Sequence, residues 1–488
     1  MKAALMLLLC AAAAALAQPS GAGPFTGTFT ATGAMTAARV WHTATLLNNG
    51  QVLIAGGAAN FSSPTASAEL YDPAAGTFTP TGNMTTPRSF HTASLLRDGR
   101  VLIAGGYSGS GDNLLRNLNT AEIYDPSTGT FTPTGAMIHG HECLEAQTLN
   151  SGKTLLSGGS GGTYQVPDAE LFDPTAGSFA DAGTYATDPS GTNNCQGAAS
   201  TLLPDGRVLI VWEEDAAEIY DPATGSFIQT GKPVAPSYND GLPTATLLTN
   251  GKVLVAGGAD DTGIHTSAEL FDVSTGSFSP GGSMSTGHAL HSATLLPNGT
   301  VLIAGGYLFG GFAIASTELY DPVSGSFGIG PAMLTSRCCH TATLLNDGRV
   351  LIAGGSYSNG GSTSLAELYT PDVLTPAPVL LSITSDGQAQ GAILHAGTED
   401  LVTAADPAVA GEALEVYCTG LADGSVIPPQ VTIGWYAADV LFFGNATGFP
   451  GLNQINVRVP EGLAPGPAIP VRLNYLGRPS NVVTIAVQ

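Results

Sequence analysis

The run His139-Gly-His141-Glu142-Cys143 sets alternate side chains on one face of an extended strand, as a metal site requires. A second set of side chains recurs. Eight residues before each of seven glycines (Gly50, Gly99, Gly152, Gly206, Gly251, Gly299, Gly348) stand His42, His91, Leu144, Ala198, Pro243, His291 and His340. Eleven residues before them stand Arg39, Arg88, His141, Cys195, Asp240, His288 and Arg337. Residues that recur with a repeat are expected to satisfy backbone carbonyls. Those that break it are more informative: His139, His141, Glu142, Glu145, Asn193, Asn194, Asp240 and Trp212-Glu213-Glu214-Asp215.

The elements that position these residues are copies of one unit. Each of the seven glycines closes the tight turn of a β-hairpin, clearest in HTATLLNDGRVLIAGG at His340–Gly355, where Asp-Gly supplies the positive φ that such a turn needs. Spacings of 45 to 54 residues mark a repeat architecture. Each unit offers four strands: A (HTATLL), B (RVLIAGG), C (AELYD) and D (GTFTPTG). A strand-C Glu recurs at Glu69, Glu122, Glu170, Glu218, Glu269, Glu318 and Glu367, and six D-strand phenylalanines follow at a constant nine residues. The seventh unit lacks strand D, and an orphan copy stands at Gly27–Met35. A ring closed by that segment leaves only short, protected edges.

The double glycine followed by a spaced Tyr and aromatic resembles the kelch repeat, over roughly residues 25–371. That resemblance implies a seven-bladed β-propeller with strand A lining a central channel. Phe stands where the family usually has Trp, and blade four carries Trp212-Glu213 in place of Gly-Gly. The A–B and C–D turns are constant in length and share one face. On the other face the distance from hairpin glycine to strand-C Glu is 18 or 19 in most blades, 23 in blade two and 12 in blade four. Loops on a rigid scaffold carry binding. The ligand-binding candidates are therefore His139, His141, Glu142, Trp212, Glu213 and Asp240 on the B–C/D–A face, with Arg39, Arg88 and Arg337 beside them.

The order His-x-x-x-Cys before a kelch strand also resembles galactose oxidase. That family implies copper, a tyrosine cross-linked to the cysteine and a Tyr-His ligand pair. Here Gly197 aligns with the tyrosine, and Cys339 precedes His340. No nucleotide loop, serine nucleophile elbow or HExxH motif is present, so no catalytic set is assembled and no cofactor is expected. Cys143 and Cys195, near the starts of adjacent A strands, can bridge blades three and four. Cys338 and Cys339 can form a vicinal disulfide or cap a ligand.

Residues 1–17 combine Lys2, an apolar core and Ala15-Leu16-Ala17, the pattern of a secretory signal peptide. No later apolar run is long enough to span a membrane. Charged residues are only 11% of the chain, and a net charge of −23 argues against nucleic acid as a partner. A proline-rich linker at 372–378 leads into 379–488, whose short alternating strands suggest an all-β, immunoglobulin-like sandwich. Its GLNQINVRVP and SNVVTIAV segments resemble a domain found on many secreted bacterial proteins. The expected protein is a secreted, non-enzymatic module that recognises a carbohydrate or a protein. The alternative is an exported oxidase or lyase.

Overall fold

The computed structural model describes residues 26–60, 63–109, 117–160, 168–186, 198–212, 216–234, 243–260, 263–308, 310–358, 360–372, 377–383, 390–421 and 425–488 except 448 and 450. No helix occurs among them. Seven four-stranded antiparallel sheets form the blades, and six of them follow the chain in the order A-B-C-D.

The B strands explain why the blades pack as a ring. Val52–Ala55, Val101–Ala104, Val208–Val211, Val301–Ala304 and Val350–Ala353 are buried along their whole length. A strand covered on both faces reads as a continuous apolar run. Alternate residues serve opposite neighbours. Val52 and Ile54 pack with Leu351 and Ala353 of blade seven, whereas Leu53 and Ala55 pack with Val101, Ile103 and Tyr124 of blade two. At the strand C–D turn, each blade joins a strand-C aromatic to its D-strand phenylalanine, as in Tyr71–Phe78 at 4.7 Å and Tyr320–Phe327 at 4.8 Å between centroids.

Closure follows the expected route. Gly27–Ala31 pairs antiparallel with Ala366–Pro371 and supplies the outer strand of blade seven. Phe29 meets Tyr369 at 5.1 Å, repeating the aromatic pair of the other blades. Thr32 then bonds the Tyr71 hydroxyl of blade one at 2.8 Å, as Thr81 bonds Tyr124 one blade further on.

The C-terminal segment forms one connected nine-stranded sheet that nearly closes on itself. The long strand Tyr436–Asn445 joins its two halves, pairing through its first residues with Gln430–Ile433 and through the rest with Asn453–Arg458. Leu380, Val416, Ile455, Val471 and Ile485 lie in the core between them. This unit rests on the A–B turns. Ala437 N–H donates to Arg97 O at 3.0 Å, Val426 N–H to Thr249 O at 3.1 Å, and Arg97 forms an ion pair with Asp439. Asn48 and Asn346, from the turns of blades one and seven, also reach it. The face with constant turn lengths is thus the covered one.

Removal of residues 27–35 strips strand C of blade seven of its partner and leaves an open edge. The expected outcome is a lower melting temperature with self-association, read by calorimetry and light scattering. A deletion variant that melts like the parent would refute this closure.

Candidate functional site

Each blade is built around its buried strand-C glutamate. Glu69, Glu122, Glu170, Glu218, Glu269, Glu318 and Glu367 are 0–2% exposed. Each accepts a backbone N–H from the loop entering its own blade: Thr36 for Glu69, Thr85 for Glu122, Ile138 for Glu170, Ala186 for Glu218, Val234 for Glu269, Thr286 for Glu318 and Leu334 for Glu367. In blades one, two, three, six and seven the carboxylate also faces the residue eleven before the hairpin glycine. In blades one, two and seven that residue is arginine, at 2.8, 2.9 and 2.7 Å from the carboxylate. The same guanidinium donates to the carbonyls of Gly56 and Ser67 in blade one, and of Gly354 and Leu365 in blade seven.

This corrects the assignment of Arg39, Arg88 and Arg337 to a ligand surface. They are fully buried, and their Nη donors are spent inside the blade. The expected carbonyl partners are present; the glutamate is the partner that the recurrence did not expose.

Trp212 needs the same correction. It is 7% exposed, and its Nε1–H donates to Glu218 Oε1 at 3.1 Å. Tyr185 packs edge-on against it at 4.6 Å. The indole meets the glutamate that an arginine meets elsewhere, so Trp212 belongs to the blade interior and not to a ligand surface. Glu213 and Asp240, with Asn193, Asn194 and Cys195, lie outside the described residues.

The recurring histidines make a second ring. His42 Nε2 meets Thr341 Oγ1 at 3.0 Å, His91 meets Thr43 at 3.0 Å, His291 meets Thr244 at 3.1 Å and His340 meets Ser292 at 3.0 Å. Every bond crosses to the preceding blade. The partners are hydroxyls, whereas backbone carbonyls were expected. Burial, helped by Arg39 and Arg337, pulls the pKa of His42 down to about 3, and burial with Arg337 and His42 does the same for His340.

Within this ring lies a cavity of about 340 Å³ in the channel, lined by Trp41, His42, Glu145, Thr244, Cys339 and His340 among others. The residue before each recurring histidine turns into the channel mouth with positive φ: Trp41 (58°), Phe90 (55°), Leu290 (49°) and Cys339 (56°), with Cys143 (59°) at the equivalent place in blade three. Trp41 and Phe90 stack at 4.5 Å across two blades. Sequence reasoning missed this pair; the signal was the position preceding the histidine, occupied by Trp and Phe in two adjacent units. Glu145 stands where five of the other six blades carry Thr or Ser, and burial raises its pKa to about 7. Cys143 is disulfide-bonded, its partner outside the described residues. Cys338 and Cys339 are free thiols and form no vicinal disulfide.

Of the run that opened the sequence, His139 and His141 come together with Glu170, their ligand atoms all within 4.8 Å of one another. Glu142 is half-buried on the adjoining strand and does not join them. Glu170 was masked by its recurrence.

A Kelch motif matches residues 88–138. No curated protein matches the sequence. Among solved structures, the fold is similar to a fungal alcohol oxidase of the AA5 family in complex with copper, with 18% identity and a TM-score of 0.64 over 95% of this chain and 99% of that chain. The fold is a seven-bladed β-propeller that carries a Kelch motif. The copper set does not fit it at the channel mouth. Cys339 stands where a Tyr-His pair needs tyrosine, and each of the four ring histidines has its Nε2 committed to a hydroxyl and its Nδ1 buried.

Two pH effects follow. Between pH 6.5 and about 3 the unfolded chain protonates His42 and His340 while the fold keeps them neutral, so acidification through that window lowers stability. The double variant His42→Gln/His340→Gln should lose less melting temperature between pH 6.5 and 4 than the parent. Glu145 has the opposite sign. With its folded pKa raised from 4.5 to about 7, the fold binds the extra proton, and that contribution is lost as pH rises through 7. Glu145→Gln should therefore raise the melting temperature at pH 8 more than at pH 5. An equal change at both would contradict a desolvated Glu145 carboxyl.

Proposed function

We propose that this chain is an exported, non-enzymatic binding module that captures a carbohydrate at the channel mouth on the B–C/D–A face. The observation that carries the reading is the stacked Trp41–Phe90 pair, half-buried, with Trp41 lining the channel cavity, on the face that the C-terminal unit leaves open. Aromatic faces take the apolar C–H side of a sugar ring, while hydroxyl and carboxyl groups such as Ser200, Thr246 and Glu145 meet its hydroxyls. A protein ligand would use the same aromatic pair as an anchor. The signal-peptide pattern of residues 1–17 supports export. The C-terminal unit, read as an immunoglobulin-like domain of the kind on secreted bacterial proteins, serves as the platform beneath the ring.

A second reading is favoured by one residue. Glu145, with its pKa near 7 inside the channel, has the protonation behaviour of a general base, which suits an exported lyase. The AA5 likeness supplies only a fold to that reading.

Labelled mature protein applied to a glycan array should retain a defined set of sugars. Trp41→Ala or Phe90→Ala should weaken capture about tenfold or more, since truncating a central aromatic anchor costs about 2 kcal/mol or more. Retention unchanged in both variants, or no retention by the parent, would overturn the proposal. Consumption of a bound glycan that Glu145→Gln abolishes would establish the lyase instead.

A further inference from the structure

Blade three carries a difference that its structural duty does not explain. In blade six His288 stands in the arginine position, with Nε2 3.8 Å from Glu318 Oε1 and Nδ1 2.7 Å from the carbonyl of Gly305. Blade three repeats the first contact, His141 Nε2 lying 3.8 Å from Glu170 Oε1. It does not repeat the second: His141 is 2% exposed, and its Nδ1 has no hydrogen-bond partner among the described residues. Two residues earlier, blade six has Thr286 where blade three has His139. Both loops hold their glutamate through backbone N–H groups, so the imidazole of His139 adds nothing to that bond.

We propose that His139, His141 and Glu170 bind a divalent first-row transition ion of the zinc class. Two imidazoles and a carboxylate are a ligand set that such ions accept, with Zn–N and Zn–O distances of about 2.0–2.2 Å. Tetrahedral bonds of that length put ligand atoms about 3.3 Å apart. The three groups already lie within 4.8 Å, and His139 is exposed and free to rotate the remaining ångström or so. Glu170 accepts one N–H at each oxygen, from Ile138 at 2.9 Å and His139 at 3.1 Å, which leaves a lone pair on each and fixes the carboxylate. The chain's net charge of −23 favours cation capture. Three protein ligands with one of them at the surface leave the fourth position open to solvent. The site lies within a single blade, two ligands from the loop that enters it and one from its strand C, and does not depend on what occupies the channel.

The test uses the full mature chain, stripped with a chelator and titrated with zinc chloride by calorimetry, and with cobalt(II) by visible absorption. One tight equivalent is expected, with d–d bands of a tetrahedral cobalt centre. His139→Ala, at an exposed residue, should weaken zinc binding about tenfold to a hundredfold and leave the metal-free melting temperature unchanged. A second imidazole–carboxylate group, His395 with Glu412 and Asp406, lies in the C-terminal unit. His395→Ala should bind zinc like the parent. No zinc equivalent in the parent, parental affinity in His139→Ala, or loss of binding in His395→Ala would each overturn the site.

Discussion

The fold depends on seven buried carboxylates that must each be satisfied. A glutamate carried into a blade interior gives up its hydration, and leaving it unpaired would cost several kcal/mol. The chain answers every one with a backbone N–H from the loop that leads into the blade. The carboxylate thus ties that loop to the strand-C rung, and in blades one, two, three, six and seven it also meets the side chain eleven residues before the hairpin glycine. The recurring acid is a joint, which is why its position hardly varies while the loops around it do.

What pairs with that joint differs by blade, and the difference carries chemical consequences. Arginine brings a permanent charge and a planar fork that reaches carbonyls and carboxylate at once, as Arg39 does with Gly56, Ser67 and Glu69. Trp212 meets the same need in blade four with a single neutral N–H. Histidine, in blades three and six, sits at 3.8 Å and leaves the carboxylate less neutralised than a guanidinium would. Blades one, two and seven are therefore the rigid arc, and the strand-C carboxylate has room for a metal ion only where arginine is absent.

Much of this architecture was legible in the sequence because it is periodic. Blade number, strand order and closure by residues 27–31 follow from recurrence, and closure could be read because an orphan D strand and a missing one balance. The site was harder to read for the same reason. Recurrence marks a residue as structural without saying whether it is buried, so Arg39, Arg88 and Arg337 passed as rim residues. Departure from recurrence marks a residue as special without saying how, so Trp212 passed as a loop residue when its indole had replaced a guanidinium. Glu170 shows the converse: a structural joint in seven blades, it becomes a candidate ligand in the one blade where His139 stands beside it. The turn that aims Trp41 and Phe90 into the mouth is a backbone conformation, and no local residue preference in the sequence announces positive φ at bulky side chains.

The histidine ring explains why the channel can be irregular without the propeller falling open. His–hydroxyl bonds link blades five to six, six to seven, seven to one and one to two at the level of the mouth. Blade three has Leu144 in the histidine position, and blade four has Ala198. There the links move deeper. Ser94 bonds Thr148 at 2.7 Å between blades two and three, and Gln147 donates to Ser200 between blades three and four. With cohesion carried one layer down, the mouth positions of this sector are released from bridging. That is where Glu145 replaces a hydroxyl and where the loops entering blades four and five lengthen. A ring so arranged keeps its stiffness on one side and its chemical freedom on the other, and the Trp41–Phe90 pair stands at the edge of the stiff arc, where an aromatic surface is held still enough to bind.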